Sequence, residues 1–328
     1  MRVIFFISHI YPLPHIDKQN CGYTHMPQVF NIILTTIAPI ILVAGLGTLL
    51  DKVKPLEVRT LSRIAIYLTS PALIFYGIAN SSVKSTELGQ LTLYSLVVAV
   101  TITILAWLVT LIFKMNRLTA SAFMLSIVLV NIGNYGIPLN EFAFGQPGLE
   151  RAIIVVVVSA VYANTMGVFL ASWGKASISK ALTNVLKVPT PYAAVLGLLV
   201  NFQYLTIPQT AMRITGILQG AAVPLMLIIL GIQIGRVSLS GNRWGVVLGA
   251  SAMRLLGGAA VGLVWATIMG LEGITRQVGV VQASMPTAVM ATILATEFDS
   301  DPQIASSVVL ISTVLSIFTL STLLYILS

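Results

Sequence analysis

The residues Asn131-Ile-Gly-Asn-Tyr-Gly-Ile-Pro138 lie in the middle of a long apolar stretch. Two glycines and a proline destabilise a regular helix, and asparagine amides need hydrogen-bond partners in an apolar setting. Pro138 has no N–H to bond the carbonyl of Asn134, and Pro286 in a later apolar stretch likewise leaves the carbonyl of Gln282 unbonded. We predict that both helices break at these prolines, although Pro286 by itself is equally consistent with a kink.

Two broken helices of this kind would form an anion site. Each second half begins with free backbone N–H groups and the positive end of a helix dipole. Such ends bind an anion, most simply a carboxylate, without a buried lysine or arginine. The residues predicted to bind the anion are Asn131, Gly133, Asn134, Gly136, Pro138, Gln282, Pro286 and Thr287.

Two ionisable residues accompany the predicted breaks. Arg254 lies about ten residues inside an apolar stretch, where a cation needs a partner or an aqueous cavity. It either steers the anion or binds carbonyls at the C-terminal end of a half-helix. Glu141 follows Pro138 and either titrates, which would couple the site to protons, or is an exposed carboxylate near the outer surface.

The composition places these breaks in a membrane. The 328 residues are 57% hydrophobic and 9% charged, with a mean hydropathy of +0.95. Soluble domains carry about 25% charged residues, so a cytosolic enzyme, a secreted disulfide scaffold and a disordered chain are excluded. The net charge of +8 comes from scattered residues, and nucleic-acid binding is not indicated.

Metal-binding and catalytic patterns are missing from the apolar part of the chain. Cys21 is the single cysteine, and all three histidines, His9, His15 and His25, precede Met26. The sequence contains no phosphate-binding loop and no evident nucleophile–base pair. We therefore predict no metal, no cofactor and no enzymatic activity.

Ten stretches are long enough to cross the bilayer, which takes about 20 apolar residues. They are 29–49, 60–80, 89–113, 118–144, 149–173, 189–205, 209–235, 244–270, 273–297 and 302–327. The predicted fold is an all-α polytopic membrane protein with a tail (1–28), a first five-helix repeat (29–173), a cytoplasmic linker (174–188) and a second five-helix repeat (189–328). The tail is a signal peptide, a loose segment or an over-long start before Met26, and we favour the last two.

The two halves of the chain share sequence features in the same order. Pro39-x3-Val-x-Gly-Leu returns at Pro191, Pro71 with a following glycine returns at Pro224, and Pro138 is matched by Pro286, with offsets of 152, 153 and 148. Because five is an odd number of spans, the second repeat would be inverted in the membrane. Inverted repeats with broken helices are typical of secondary transporters, whose site lies at the repeat interface.

Basic residues predict the orientation. The loops after odd-numbered spans contain ten lysines and arginines, and the loops after even-numbered spans contain three. Because basic loops stay in the cytoplasm, we predict a multi-pass protein of the cell (inner or plasma) membrane with both termini outside.

The sequence resembles the auxin efflux carrier family, which includes the plant PIN-type transporters, over about residues 27–328. The similar segments are Asn131-x-Gly-x-x-Gly-x-Pro138-Leu with Phe144-Gly145, Pro224-Leu with Leu230-Gly231, Arg254-Leu255, Met285-Pro-Thr-Ala288, Asp301, Ser307-Val308, Ser312-Thr313 and Ser316. The resemblance implies ten helices in two inverted repeats, more distantly similar to bile-acid/sodium symporters. Spans 1, 2, 6 and 7 would form a scaffold, spans 3–5 and 8–10 a moving unit, and spans 4 and 9 would cross at Pro138 and Pro286.

The sequence therefore predicts a secondary carrier of a small organic anion that works by alternating access, with the anion at the crossing of spans 4 and 9. The predicted partners are this anion and the lipid bilayer, without nucleic acid. A homodimer and a coupling ion, proton or sodium, are left open. The alternative is a membrane sensor or interaction protein that keeps a carrier fold without transporting.

Overall fold

The computed structural model describes residues 28–172, 188–237 and 243–327, and every regular element in these ranges is a helix. In chain order the helices are α1 (Val29–Val53), α2 (Val58–Ala79), α3 (Ser85–Ile112), α4 (Arg117–Val128), α5 (Ile132–Ala171), α6 (Thr190–Asn201), α7 (Gln209–Gly235), α8 (Trp244–Ile268), α9 (Gly273–Ala283), α10 (Met290–Glu297) and α11 (Pro302–Leu327). Seven of them, all except α4, α6, α9 and α10, are long and apolar enough to cross a membrane. The prediction of an all-α polytopic membrane protein is confirmed.

The count of ten spans stays a prediction. The fourth, sixth and ninth predicted spans contain shorter helices: α4 with the first part of α5, then α6, then α9 with α10. The tail 1–28 and the linker 174–188 lie outside the described residues apart from the last residue of each. The division of the chain into two five-helix repeats also stays a prediction.

The chain reverses direction inside α5 at Gly145. This residue has φ +64° and ψ −156°, a conformation open to glycine but costly for a residue with a side chain. Ile132 and Ser159 line one cavity, although a continuous helix would hold them about 40 Å apart. Residues 137–144 and 146–171 are therefore two separate helical rods; the first forms the end of the predicted fourth span (118–144), and the second corresponds to the predicted fifth span (149–173).

The outer surface is apolar. Leu42, Ile112 and Ile217 are 67%, 72% and 76% exposed, and many other large hydrophobic side chains also point outward. Soluble proteins rarely expose apolar surface so continuously, because it is costly in water. The exposure fits a chain whose outer face contacts lipid.

Helix pairs with close backbones organise the interior. α1 packs on α7, and α2 packs on α6. A Cβ on Gly47 of α1 would lie 2.5 Å from the Ile228 carbonyl oxygen of α7, and a Cβ on Gly197 of α6 would lie 3.1 Å from the Phe75 carbonyl oxygen of α2. Small residues let membrane helices approach this closely. The remaining helices α3, α4, α8, α9, α10 and α11 pack mainly on one another and on the 146–171 rod.

Candidate ligand site at two crossing helix breaks

The first break lies between α4 and α5. α4 ends at Val128, and Leu129 (φ −88°, ψ 101°) and Asn131 (φ −81°, ψ 55°) have non-helical backbones before α5 begins at Ile132. The sequence predicted a break at Pro138, but the helix has already resumed six residues earlier. Pro138 lies at the start of the α-helical part, where its missing N–H costs little.

The second break lies between α9 and α10 and includes its proline. α9 ends at Ala283 and α10 begins at Met290. Pro286 lies inside this non-helical segment, as the sequence predicted. The two prolines are therefore not in equivalent positions, since one lies within its break and the other follows it.

The two breaks pair with each other through their backbones. The Asn131 N–H donates to the Pro286 carbonyl and the Ala288 N–H donates to the Leu129 carbonyl, each at 2.8 Å. Val130 and Thr287 form the corresponding antiparallel bridge. Each interrupted helix thereby supplies hydrogen-bond partners to backbone groups that the other one leaves unbonded, which lowers the cost of breaking both.

Thr287 connects the crossing to α11. Its hydroxyl donates to the Ser126 carbonyl at 2.6 Å, and its N–H donates to the Ser312 Oγ of α11 at 3.1 Å. Thr287 is fully buried. Sequence reasoning did not identify Ser126 and Ser312 as part of this arrangement. They lie 161 and 25 positions from Thr287, and no spacing rule connects residues so far apart.

The first turn of α5 offers free donors. The backbone N–H groups of residues 132–134 have no acceptor in the described part of the chain, and the Gly136 N–H bonds the Asn131 carbonyl at 3.1 Å. This turn is a π-helical segment, a form often found at functional sites. Free N–H groups at a helix start favour a negatively charged ligand.

Two asparagine side chains stand beside these donors. The amides of Asn131 and Asn134 make no hydrogen bond to any described residue. A Cβ on Gly133 would meet nothing within 4 Å, so open space adjoins this turn. The structure thus brings Asn131, Gly133 and Asn134 together around an accessible helix start.

Arg254 lies at the opposite ends of the broken helices. One of its terminal nitrogens donates to the Ile127 carbonyl of α4 at 2.6 Å, and the other donates to the Ala283 carbonyl of α9. The side chain is 1% exposed, and no ion pair joins it to a described carboxylate. Because helix C-termini carry partial negative charge, one guanidinium satisfies both ends. Of the two predicted roles, this geometry corresponds to carbonyl binding.

Gln282 lines a cavity of about 60 Å³ together with Arg254, with Val130 of the first break and with Ile132 at the start of α5. Both amide atoms of Gln282 are buried without a hydrogen-bond partner. A Cβ on Gly136 would overlap the Gln282 side-chain oxygen, so glycine at this position makes room for the amide.

Glu141 stands apart from these groups. It is half-buried on the 137–144 rod, and no hydrogen bond or ion pair joins it to a described residue. No group of His, Cys, Asp and Glu in the described ranges could hold a metal ion.

Comparison with known proteins identifies the family that the sequence resembles. Residues 32–325 match the membrane transport protein family. An uncharacterized transporter of Methanocaldococcus jannaschii is 26% identical over 290 residues, which cover 86% of this chain and 94% of that protein. An uncharacterized transporter of Methanothermobacter thermautotrophicus is 27% identical over 87% of this chain and 95% of its own length. Auxin efflux carrier component 1 of Arabidopsis thaliana is 29% identical over 129 residues, or 37% of this chain and 20% of that protein.

Proposed function

We propose that this chain, which belongs to the membrane transport protein family, is a secondary carrier of a small organic anion. A carboxylate is the simplest substrate for the site. The resemblance to auxin efflux carriers is confirmed by the family match and by the Arabidopsis relative. Auxin is itself an organic acid, so the name of that relative is consistent with an anionic substrate here.

One observation carries the proposal: at the α5 start, three N–H groups beside open space and two asparagine amides have no hydrogen-bond partner among the described residues. An anion accepts hydrogen bonds from all of these donors and is attracted by the helix dipole. We assign substrate contact to Asn131, Gly133 and Asn134. Pro286 and Thr287 support the crossing, since their polar groups are bonded within it.

The arrangement of helices favours two inverted repeats of five spans. In such a repeat, span 1 (α1) corresponds to span 6 (α6), and span 2 (α2) corresponds to span 7 (α7). The α1–α7 pair therefore corresponds to the α6–α2 pair. Both pairs pack closely, and Phe75 and Ile228, which meet a glycine in each pair, differ by the same 153 positions as Pro71 and Pro224. Helix α5 begins between the α1–α7 pair and the remaining helices.

This packing supports alternating access. In the proposed cycle, α1, α2, α6 and α7 stay as the scaffold while the other helices move with the substrate. The carrier would lie in the cell membrane with both termini outside. The half-buried Glu141 is the candidate for proton coupling, because no partner in the described residues satisfies its charge.

Transport by purified protein in proteoliposomes tests the proposal. A panel of radiolabelled mono- and dicarboxylates, with and without pH and sodium gradients, should include a substrate that accumulates inside. Asn131→Ala and Asn134→Ala should reduce its uptake at least about tenfold, as expected when hydrogen bonds to a charged ligand are lost.

Asn164→Ala is the matched control. Asn164 is an exposed amide on the 146–171 rod that bonds only the Ala160 carbonyl of its own helix, so this variant should transport normally. Full transport by both crossing variants would contradict the site. Binding without flux for every substrate would instead indicate the sensor.

A further inference from the structure

The cavity beside Arg254 and Gln282 adjoins the crossing, since Val130 of the first break and Ile132 of α5 also line it, but Asn131, Gly133 and Asn134 do not. Its other lining residues come from α3, α4, α5, α8 and α9, and none of the described lining residues comes from α1, α2, α6 or α7. Its volume of about 60 Å³ exceeds what one water molecule needs. A halide-sized ion therefore fits in it.

The cavity has more hydrogen-bond donors than acceptors. The Arg254 guanidinium has five N–H groups, and only two bonds to protein carbonyls are formed; its Nε has no partner. The Gln282 amide adds two unpaired N–H groups and one unpaired oxygen. About five unpaired donors of Arg254 and Gln282 therefore face two acceptors, the Gln282 oxygen and the Ser159 hydroxyl, and an unpaired buried donor is costly.

Three other polar side chains of the cavity bond elsewhere, whereas the Ser159 hydroxyl has no hydrogen bond to a described residue and can donate or accept. The Tyr94 hydroxyl donates to the Gly262 carbonyl at 3.1 Å, and the Ser95 hydroxyl donates to the Leu91 carbonyl at 2.7 Å. The Tyr162 hydroxyl shares a hydrogen bond with Thr103 at 2.7 Å. No aspartate or glutamate lines the cavity.

The positive charge of Arg254 also favours a bound anion. Two helix C-termini compensate part of it through their dipoles, but no carboxylate among the described residues provides a full negative charge. Buried charges are normally paired, because an isolated charge in an apolar interior is strongly disfavoured. A monovalent anion in the cavity would provide both the charge and the acceptors.

Two glycines keep the side chains in place around this space. A Cβ on Gly258 would overlap a terminal nitrogen of Arg254, and a Cβ on Gly136 would overlap the Gln282 oxygen. The guanidinium of Arg254 and the amide of Gln282 therefore need glycine neighbours to keep their positions beside the cavity. The helix packing thus provides room for both groups.

We propose that this cavity binds a monovalent inorganic anion of halide or nitrate size, held by other residues than Asn131, Gly133 and Asn134, to which the carboxylate is assigned. The bound ion accepts hydrogen bonds from Arg254 and Gln282 and neutralises the guanidinium. Because Arg254 connects the C-terminal ends of α4 and α9, the ion stabilises the crossing itself. The site does not depend on what the protein transports.

Thermal unfolding of the full-length protein in detergent tests the proposal. The unfolding temperature is compared in sodium chloride, bromide or nitrate and in sodium methanesulfonate at equal ionic strength. Methanesulfonate is larger than these anions, accepts hydrogen bonds more weakly and is not a carboxylate. We expect the small anions to raise Tm by about 2–4 °C in a saturable manner.

Gln282→Leu separates this site from other anion effects. The substitution removes the donors while filling similar volume, so the variant should be at least as stable as wild type in methanesulfonate. Its apparent halide affinity should be about tenfold weaker. Gln277→Leu is the control on the same helix, since that amide bonds the Leu327 carbonyl, and it should keep the wild-type halide response.

A bromide-soaked crystal gives the direct readout, and anomalous density in the cavity is the expected result. Equal Tm in chloride and methanesulfonate would overturn the proposal, and so would a wild-type halide response in Gln282→Leu or bromide found only elsewhere. A halide response that is lost in Asn134→Ala but kept in Gln282→Leu would place the anion at the crossing instead. That outcome would leave the carrier proposal intact.

Discussion

The two interrupted helices meet at one point but differ in how many backbone donors they leave free. At the start of α5, three successive N–H groups have no acceptor in the described chain. At the start of α10, the Ala288 N–H bonds Leu129, and Ala291 and Thr292 bond the carbonyls three residues before them. Only Val289 and Met290 are left without an acceptor there. The α10 break therefore serves mainly as support, and the α5 break is the better ligand site.

The positions of the prolines explain part of this difference. Pro286 lies inside its break, where it contributes its carbonyl to Asn131 and needs no donor of its own. Pro138 lies after its break, at the beginning of the α-helical part of α5. The first turn of α5 consequently contains Gly133 and Asn134, which leave space and present an amide.

The C-terminal ends of α4 and α9, which precede the two breaks, are alike because Arg254 caps both of them. Replacing Arg254 tests how far the two helices depend on each other. Arg254→Met should lower the free energy of unfolding by about 3 kcal/mol, because two buried C-terminal carbonyls lose a charged donor. Thermal unfolding in detergent measures the effect. Arg236→Met removes an exposed arginine that pairs with Asp51, and its effect should be much smaller. Equal losses from the two variants would contradict the role of Arg254.

A smaller effect is expected from the support of the α10 break. Thr287→Val keeps the shape of the side chain but leaves the Ser126 carbonyl without its hydroxyl donor, at a cost of about 1–2 kcal/mol. Thr313→Val is the control, because the Thr313 hydroxyl bonds only the Val309 carbonyl of its own helix. If the two variants unfold at the same temperature, Thr287 does not hold the crossing.

The smallest change in stability is expected at the α5 break. Gly133→Ala meets no neighbour, and the free energy of unfolding should change by less than about 1 kcal/mol. The added methyl group occupies the space beside the free N–H groups, so the KM for uptake should rise. Gly249→Ala also meets no neighbour and lies far along the chain on α8, so it should leave KM unchanged. An unchanged KM for Gly133→Ala would place the substrate away from this turn.

Several features of the site could be predicted from local sequence. The asparagines, glycines and prolines indicated that two helices are interrupted, since each effect depends on a residue and its near neighbours. The position of the first break could not be predicted in this way. It depends on the pairing of Leu129 and Asn131 with Ala288 and Pro286, more than 150 positions away.

The role of Arg254 shows the same limit. Its burial in an apolar stretch indicated a partner, but the sequence left open whether that partner is an anion or a helix end. The two carbonyls that it binds lie 127 and 29 positions away. The unpaired amide of Gln282 and its cavity could not be foreseen either, because they depend on where five helices leave space.

The sequence by itself determined that the chain is an apolar, helical membrane protein with two weakened helices, because hydrophobicity and backbone preference are properties of short segments. Only the tertiary structure decided which backbone donors stay unbonded and where a buried cation lacks a counter-charge. Those outcomes depend on hydrogen bonds between distant residues, and each bond formed at the crossing removes a donor or acceptor that a ligand could otherwise use.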